Sequence, residues 1–525
     1  MSVSENKKET IKSGALAFTG NLIGKFVSLP VGIYTASALN PAGYGLLAIV
    51  LLIIQYMSIL NLGVLSNITR EVPIAYGKNN LDEVKTIYNT VFTNYLITTL
   101  IGIIVLWILH LGGLIYDSQL STIHFLLISF IVLTANAESF FHTYIKGEGK
   151  FIIFGQYELV SKISIPLATL ALVYFFGFTG MLISLIFNHI LGLGFILSKI
   201  ELPKLQFGLN LSKTKELFST GIWMYFNKVI DGFFISIVFI MASKFMTISD
   251  VGILSFALGF AAISKIPFAT ILTVTIDRKI AHEGGKFGIN KYENYAKFFG
   301  STYVIYLLLI NLVLGLFVIF YSISVNIFLQ KYLLSIPIMI ILFFALNFFN
   351  ARYFLNSYIN VTRQMSKRSV ILIVGMLVNV IFGYLSIKLG LGIIGLASVV
   401  AFSMIVISVQ TIFIVFRQVY GNSKKAYYFL FKILIISGLS TALLYSFQDF
   451  TFIIYEFNYH DSFQMFLAAI DFIVKSILFI FLVFCLFIGL FRKDKFYTEI
   501  RTLLYYAFTK LVSSIRKSTI PEQIG

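Results

Sequence analysis

Runs of roughly 20 apolar residues, the length a helix needs to cross hydrocarbon, recur from end to end of this chain with only short polar breaks between them. About fourteen can be drawn, over 14–36, 42–66, 88–109, 120–144, 152–175, 179–198, 216–242, 251–276, 296–321, 333–358, 369–388, 392–416, 427–447 and 464–490. The expected fold is all-α and polytopic, because backbone in lipid must close its hydrogen bonds within each segment and alternating β-barrel patterning is absent. Composition agrees: 58% of the 525 residues are hydrophobic and 12% charged, with mean hydropathy +0.90, a balance that no soluble domain of this size could keep in solution. The apolar run after MSVSENKKETIKSG has no small-residue cleavage signature and is expected to be retained as the first span.

Basic residues test this map. With the N-terminus and every second loop assigned to the cytoplasm, 31 of the 40 Lys and Arg residues fall on that side. The opposite loops hold Lys244, Lys331 and Lys388, and six more lie inside spans. This asymmetry sets the expected orientation, both termini cytoplasmic. It also explains the net charge of +17 as topology and attraction to anionic headgroups, which removes nucleic acid as the expected partner.

A weak internal repeat relates the first and seventh spans. Gly14 pairs with Gly221, Val31 with Val238 and Gly45 with Gly252 at an offset of 207, and after one inserted residue Arg70 meets Arg278 and Gly77 meets Gly285. A six-span repeat implies two six-helix bundles related by a pseudo-two-fold axis along the membrane normal, around a central cavity. The expected divisions are an N-lobe over 1–200, a C-lobe over 201–420, two additional helices over 421–491 and a basic cytoplasmic tail over 492–525.

The six basic residues inside spans are Lys25, Lys162, Lys228, Lys265, Arg352 and Lys475. Each costs roughly 2.5 to 3.5 kcal/mol at a helix centre unless it finds a partner or a wet cavity. Glu158 and Lys162 are spaced i,i+4, as are Asp471 and Lys475, and Lys228 and Asp231 are i,i+3. Local neutralisation is the plainer reading for those. Lys25 and Lys265 have no acid one turn away and call for a cross-helix acid such as Glu138, or for an anionic ligand. Arg352 is flanked by Asn347, Asn350 and Asn356, which suit sugar hydroxyls or, equally, helix-to-helix hydrogen bonds. Glu138 and His142, i,i+4 on the fourth span, suit a proton relay, although packing networks are the commoner use of such a pair.

Other chemistry is disfavoured. The single cysteine, Cys485, excludes a disulfide framework, the six histidines are scattered without an H-E-x-x-H motif, and no P-loop signature occurs. Neither a metal nor another cofactor is expected.

The segment SGALAFTGNLIGKFVSLPVGIYTASALNPAGYG leads a Gly-containing first helix into a P-x-x-Y-G turn at Pro41, Tyr44 and Gly45, then LNLGV at Leu60 to Val64 and the Arg70 loop. It resembles the flippases of polysaccharide repeat units (O-antigen, capsule, exopolysaccharide). Their superfamily also holds multidrug and toxin extruders and the peptidoglycan-precursor flippase. The resemblance implies a V-shaped cavity with alternating access and a membrane transporter rather than an enzyme. The implied substrate is an undecaprenyl-pyrophosphate-linked oligosaccharide, moved from the inner to the outer leaflet of a bacterial cytoplasmic membrane, with a downstream polysaccharide polymerase as possible partner. It implies pyrophosphate contacts at Lys25, Lys228 and Lys265, which Arg352 joins, with Asp231, Glu138 and Lys162 in coupling or charge pairing. Coupling to H+ or Na+, or consumption of the product, would supply the driving force. A lipid II flippase and a multidrug or cation antiporter are the alternatives on the same fold. A polymerase or ligase would be expected to carry a large outer loop, and the longest here, roughly 448–463, is short.

Overall fold

In a computed structural model the described residues are 3–59, 63, 65, 68–113, 120–201, 205–208, 210–263, 293–362, 364–449 and 462–491. They form thirteen α-helices: α1 Val3–Ile59, α2 Ile68–Gly77, α3 Leu81–Leu111, α4 Thr122–Gly147, α5 Phe151–Lys199, α6 Leu211–Phe245, α7 Ile248–Ile263, α8 Glu293–Phe328, α9 Ser335–Val361, α10 Met365–Lys388, α11 Gly392–Tyr420, α12 Ser423–Asp449 and α13 Ser462–Phe491. No strand occurs among the described residues.

Eleven of these helices are long and apolar enough to cross a membrane, against about fourteen expected spans, and the difference has a local cause. Two helices each contain two expected spans joined at one non-helical residue: α1 breaks at Asn40 (φ 55°) and α5 at Gly177 (φ 55°). Positive φ is open to glycine and tolerated by asparagine, and Pro41 directly after the first break is preset for an opening helical turn. The third difference is α7, a shorter apolar helix, because the expected span 251–276 runs on past Ile263 into residues outside the described set.

Two compact units divide the chain, Met1–Phe256 and Ala257–Gly525, with the boundary inside α7. In the first unit α1 and α5 pack extensively on each other. Leu39 and Leu47, on either side of the α1 break, meet Val173, Phe178 and Met181 around the α5 break. Farther along α1, Leu46, Val50, Ile53 and Met57 join Phe125, Ile128 and Ile131 of α4 and Leu182 of α5. A further core gathers Ile68 and Val72 of α2, Ile87 and Val91 of α3, Phe140 and Tyr144 of α4, and Ile196 of α5. In the second unit α9 is central: 83% of its most apolar stretch is buried, against 22% for α13. Phe479 of α13 fills the notch left by Gly315 of α8, where a Cβ would overlap the ring.

The first unit also contains a reciprocal contact. A Cβ on Gly45 would overlap the carbonyl of Ile248, and one on Gly252 the carbonyl of Pro41, while each lies 3.0 Å from the other glycine's amide nitrogen. Pro41 and Ile248 are separated by the same offset of 207 as the two glycines, so the second half of α1 and α7 touch through equivalent atoms, as in an isologous two-fold contact. Replacing either glycine with alanine should destabilise the protein by about 1–3 kcal/mol through overpacking against backbone. Gly259→Ala on the same α7, with nothing within 4 Å, should leave thermal unfolding in detergent unchanged or slightly raised.

Candidate functional site: ionisable residues inside the spanning helices

The α4–α5 interface of the first unit concentrates ionisable side chains at membrane depth. Glu138, in the middle of α4 and buried, receives the Tyr157 hydroxyl on Oε1 at 2.5 Å, and His189 Nδ1 lies 2.6 Å from its Oε2. An ionised carboxylate only accepts, so this geometry puts the hydrogen on Nδ1 and leaves Nε2 for a further proton. Gly192 makes the approach possible, since a Cβ there would overlap Glu138 Oε1. One turn along α4, His142 Nε2 lies 3.4 Å from Glu158 Oε1, and Glu158 Oε2 lies 3.8 Å from Lys162 Nζ. The His142 and Tyr157 rings stand 4.9 Å apart, joining the two sets. The i,i+4 spacing of Glu138 and His142 is therefore not used between them, because each finds its partner on α5.

The pairings expected along one helix are present where described. Lys475 Nζ is 2.8 Å from Asp471 Oδ2, with side-chain exposures of 7% and 0%, and Lys162 reaches Glu158. Lys162 retains 41% side-chain exposure and 3.8 Å is a loose pair, so its neutralisation is weaker than that of Lys475. The side chains of Lys25 and Lys228, and all of Lys265, lie outside the described residues. The backbone still locates Lys25: a Cβ on the preceding Gly24 would lie 2.5 Å from Lys162 Cβ, so α1 is seated on α5 one residue away from Lys25. Asp231 is half-buried on α6.

The remaining candidates sit inside the packed second unit. Arg352 is only 2% exposed, its guanidinium 4.2 Å from the centre of the Phe349 ring. Asn347 Oδ1 accepts from Asn311 at 3.2 Å, and Ser440 donates to Asn311 Oδ1 at 3.0 Å, a neutral chain joining α9, α8 and α12. Asn350 and Asn356 are buried on α9, and the Tyr306 hydroxyl donates to the Asn350 carbonyl at 3.1 Å. Of the three asparagines, Asn347 thus makes a helix-to-helix side-chain hydrogen bond, while the Asn350 contact with Tyr306 is through its backbone. Lys432, counted from the sequence with a cytoplasmic loop, is buried on α12 with its ammonium 4.1 Å from the ring centres of both Tyr428 and Phe491, a cation–π setting.

Beyond the span end of α4, Glu148 Oε1 accepts the hydroxyls of Tyr76 at 2.9 Å and Tyr88 at 2.6 Å, beside a surface cavity of about 360 Å³. Burial first, then the Glu148 hydrogen bond and charge, push Tyr76 up to about 12, so its donor proton stays in place at any physiological pH. Among the described residues no three His, Cys, Asp or Glu side chains come together as a metal site.

The fold is similar to those of several solved multi-pass membrane transporters. The lipid II flippase MurJ in an inward-closed conformation matches with TM-score 0.57 at 15% identity, covering 87% of this chain and 98% of its own. An inward-facing multidrug resistance MATE transporter matches with TM-score 0.59 at 13% identity, covering 78% and 99%, and the Vibrio cholerae MATE transporter VcmN with 0.51 at 14%, covering 80% and 98%. The sequence narrows the class: the profile of the polysaccharide biosynthesis protein family matches residues 11–276, and the chain belongs to that family. No curated protein matches the sequence.

The Asp471–Lys475 pair provides a test of how these charges are carried. Asp471→Ala should cost about 3–5 kcal/mol, since it strands a buried ammonium, whereas Asp471→Leu with Lys475→Met together should recover most of that loss. Unfolding of the purified protein in detergent measures both.

Proposed function

We propose that this protein is a flippase that moves an anionic, lipid-linked sugar headgroup, an undecaprenyl-pyrophosphate-linked oligosaccharide repeat unit, from the inner to the outer leaflet by alternating access. The membrane in question is a bacterial cytoplasmic membrane, with both termini on the cytoplasmic side. The observation that carries the reading is the seating of Gly24 on Lys162. It sets the backbone of Lys25 and the stem of a second intramembrane lysine side by side, and Lys162 has Glu158 as a loose partner at 3.8 Å. Intramembrane lysines need an acid or an anionic ligand, and a pyrophosphate headgroup is a ligand of that kind. At an effective dielectric of about 20, an ammonium and a phosphate charge about 4 Å apart attract by roughly 4 kcal/mol.

Family membership supports sugar as the cargo class, and the fold supports translocation rather than bond making. Lys228, Lys265 and Arg352 remain assigned to the same anion by their place in the sequence. The lobes drawn at 1–200 and 201–420 remain the working description of the moving parts, and a downstream polymerase is the expected consumer of the product. A lipid II headgroup carries the same pyrophosphate and is the second reading, favoured by the MurJ likeness in fold.

In proteoliposomes, Lys25→Ala and Lys162→Ala should each lower translocation of a pyrophosphate-linked oligosaccharide at least tenfold, while Lys→Arg at either site retains much of it. Wild-type rates in the alanine variants would show that the lysines are neutralised within the fold and that the anion reading is wrong. Equal transport of lipid II and the oligosaccharide would favour the second reading.

A further inference from the structure

We propose that the cavity where α2, α3 and the end of α4 meet is a binding site for the headgroup of a zwitterionic aminophospholipid, with Glu148 receiving its primary ammonium and Lys85 and Asn89 its phosphate. The site is separate from whatever the protein carries, and it stands or falls independently of the flippase reading.

The cavity holds about 360 Å³, near the lower end of the roughly 300–1,000 Å³ of small-molecule sites, which suits a headgroup. Lys85 and Asn89 line it from α3, on one helix face at i,i+4. Lys85 makes no ion pair or hydrogen bond among the described residues. Asn89 accepts the amide of Gln206 on Oδ1 at 2.9 Å, which leaves its Nδ2 to donate. On α4's side, Glu148 Oε1 accepts the hydroxyls of both Tyr76 and Tyr88. That fixes the carboxylate and leaves Oε2 without a partner among the described residues. Lys85 and Glu148 thus face one cavity without pairing to each other, and the cavity offers one charge of each sign from two different elements.

A ligand with a cation at one end, an anion at the other and no net charge matches that pair. Its cation meets carboxylate and phenol oxygens more than ring faces, because the Tyr88 and Tyr144 rings are packed on each other at 4.7 Å and Lys150 stands 5.9 Å from the centre of the Tyr144 ring. This favours a primary ammonium, which donates charge-assisted hydrogen bonds, over a quaternary one, which is held by an open aromatic cage. The level in the membrane supplies the source. α3 begins at Leu81 and α4 ends at Gly147, and both are long and apolar enough to span, so the cavity lies at the ends of two spanning helices, the level of the lipid headgroups. Its remaining wall includes Leu205 of the connection from α5 to α6. That connection is fastened to α3 by the Gln206 amide on Asn89 and the Gly208 amide on Thr93 Oγ1 at 3.1 Å, with the Phe207 ring 5.7 Å from that of Phe92. The walls are therefore built, not a dimple between loose ends.

The test uses the full-length protein in detergent, incubated with an equimolar mixture of phosphatidylethanolamine, phosphatidylcholine and phosphatidylglycerol of the same acyl chains. Native mass spectrometry identifies the lipid retained on the intact protein. Wild type should retain phosphatidylethanolamine several-fold over each of the other two. Glu148→Gln, which keeps an oxygen for the two tyrosine hydroxyls, should bring phosphatidylethanolamine down to the level of phosphatidylcholine. Lys85→Ala, at an exposed position, should lower its retention several-fold, and Lys85→Arg should restore it; if Glu148→Gln does not fold, these two variants decide. Equal retention of phosphatidylethanolamine and phosphatidylcholine by wild type, or a preference unchanged in the variants, overturns the site. A preference for phosphatidylglycerol overturns it in favour of plain attraction to basic helix ends. Retention of added glycerophosphoethanolamine in place of the lipid overturns the lipid assignment in favour of a soluble ligand with the same head.

Discussion

Hydrocarbon does not hydrate a charge, and most of what is distinctive in this protein follows from that one constraint. Each described intramembrane ionic group has been brought to a partner, and the helices are shaped so that the partners can meet. Glu138 and His189 are joined because Gly192 lets a carboxylate lie against α5. Lys162 stands beside α1 because Gly24 has no side chain to keep it away. Asp471 and Lys475 solve the problem on one helix at i,i+4 and seal themselves from solvent almost completely. Lys432 uses two aromatic faces in place of an acid.

The two units answer the same constraint in different currencies of polarity. The α4–α5 interface of the first unit is ionisable, with two histidines, two glutamates, a tyrosine and a lysine in linked contacts. The corresponding polar chain of the second unit, Ser440 to Asn311 to Asn347, is neutral. A neutral amide chain fixes helix register by hydrogen bonds alone, whereas the acid–imidazole contacts of the first unit join ionisable groups.

Much of the fold was legible because membrane spans are written in composition and length. The expected spans fall on described helices or half-helices, save 251–276, of which only the part to Ile263 is described, and both breaks within long helices fall between expected spans, at Asn40 and Gly177. Pairing along a helix was legible for the same reason: Lys475 with Asp471 and Lys162 with Glu158 obey a fixed spacing. Pairing across helices was not. The acid Glu138 and its imidazole His189 are 51 residues apart, and no period relates them. The nearer candidate, His142, has the right spacing on α4 yet engages Glu158. The hint that could have raised His189 is its place in an otherwise apolar half-helix three residues before Gly192, a small residue opposite a polar one. Lys432 lies inside the expected span 427–447 although its charge was counted with the cytoplasmic loops, and its burial on α12 agrees with the span.

The choice of lysine over arginine at the positions assigned to an anion bears on how a carrier differs from a binding protein. A guanidinium grips a phosphate with two parallel hydrogen bonds in a fixed plane, whereas an ammonium is a point charge on a flexible stem. A carrier must release its cargo on the far side, so affinity that is strong in both states lowers turnover as surely as affinity that is absent, and only a difference between states moves anything. Lys162 is the looser case: its acid lies 3.8 Å away and its side chain keeps 41% exposure. Lys475 at 2.8 Å, enclosed with Asp471, is the opposite case, a charge bound too well to exchange. The same residue type with an acid at the same spacing is therefore enclosed in one helix and loosely paired in another, and the geometry of the pair, rather than its presence in the sequence, separates the two.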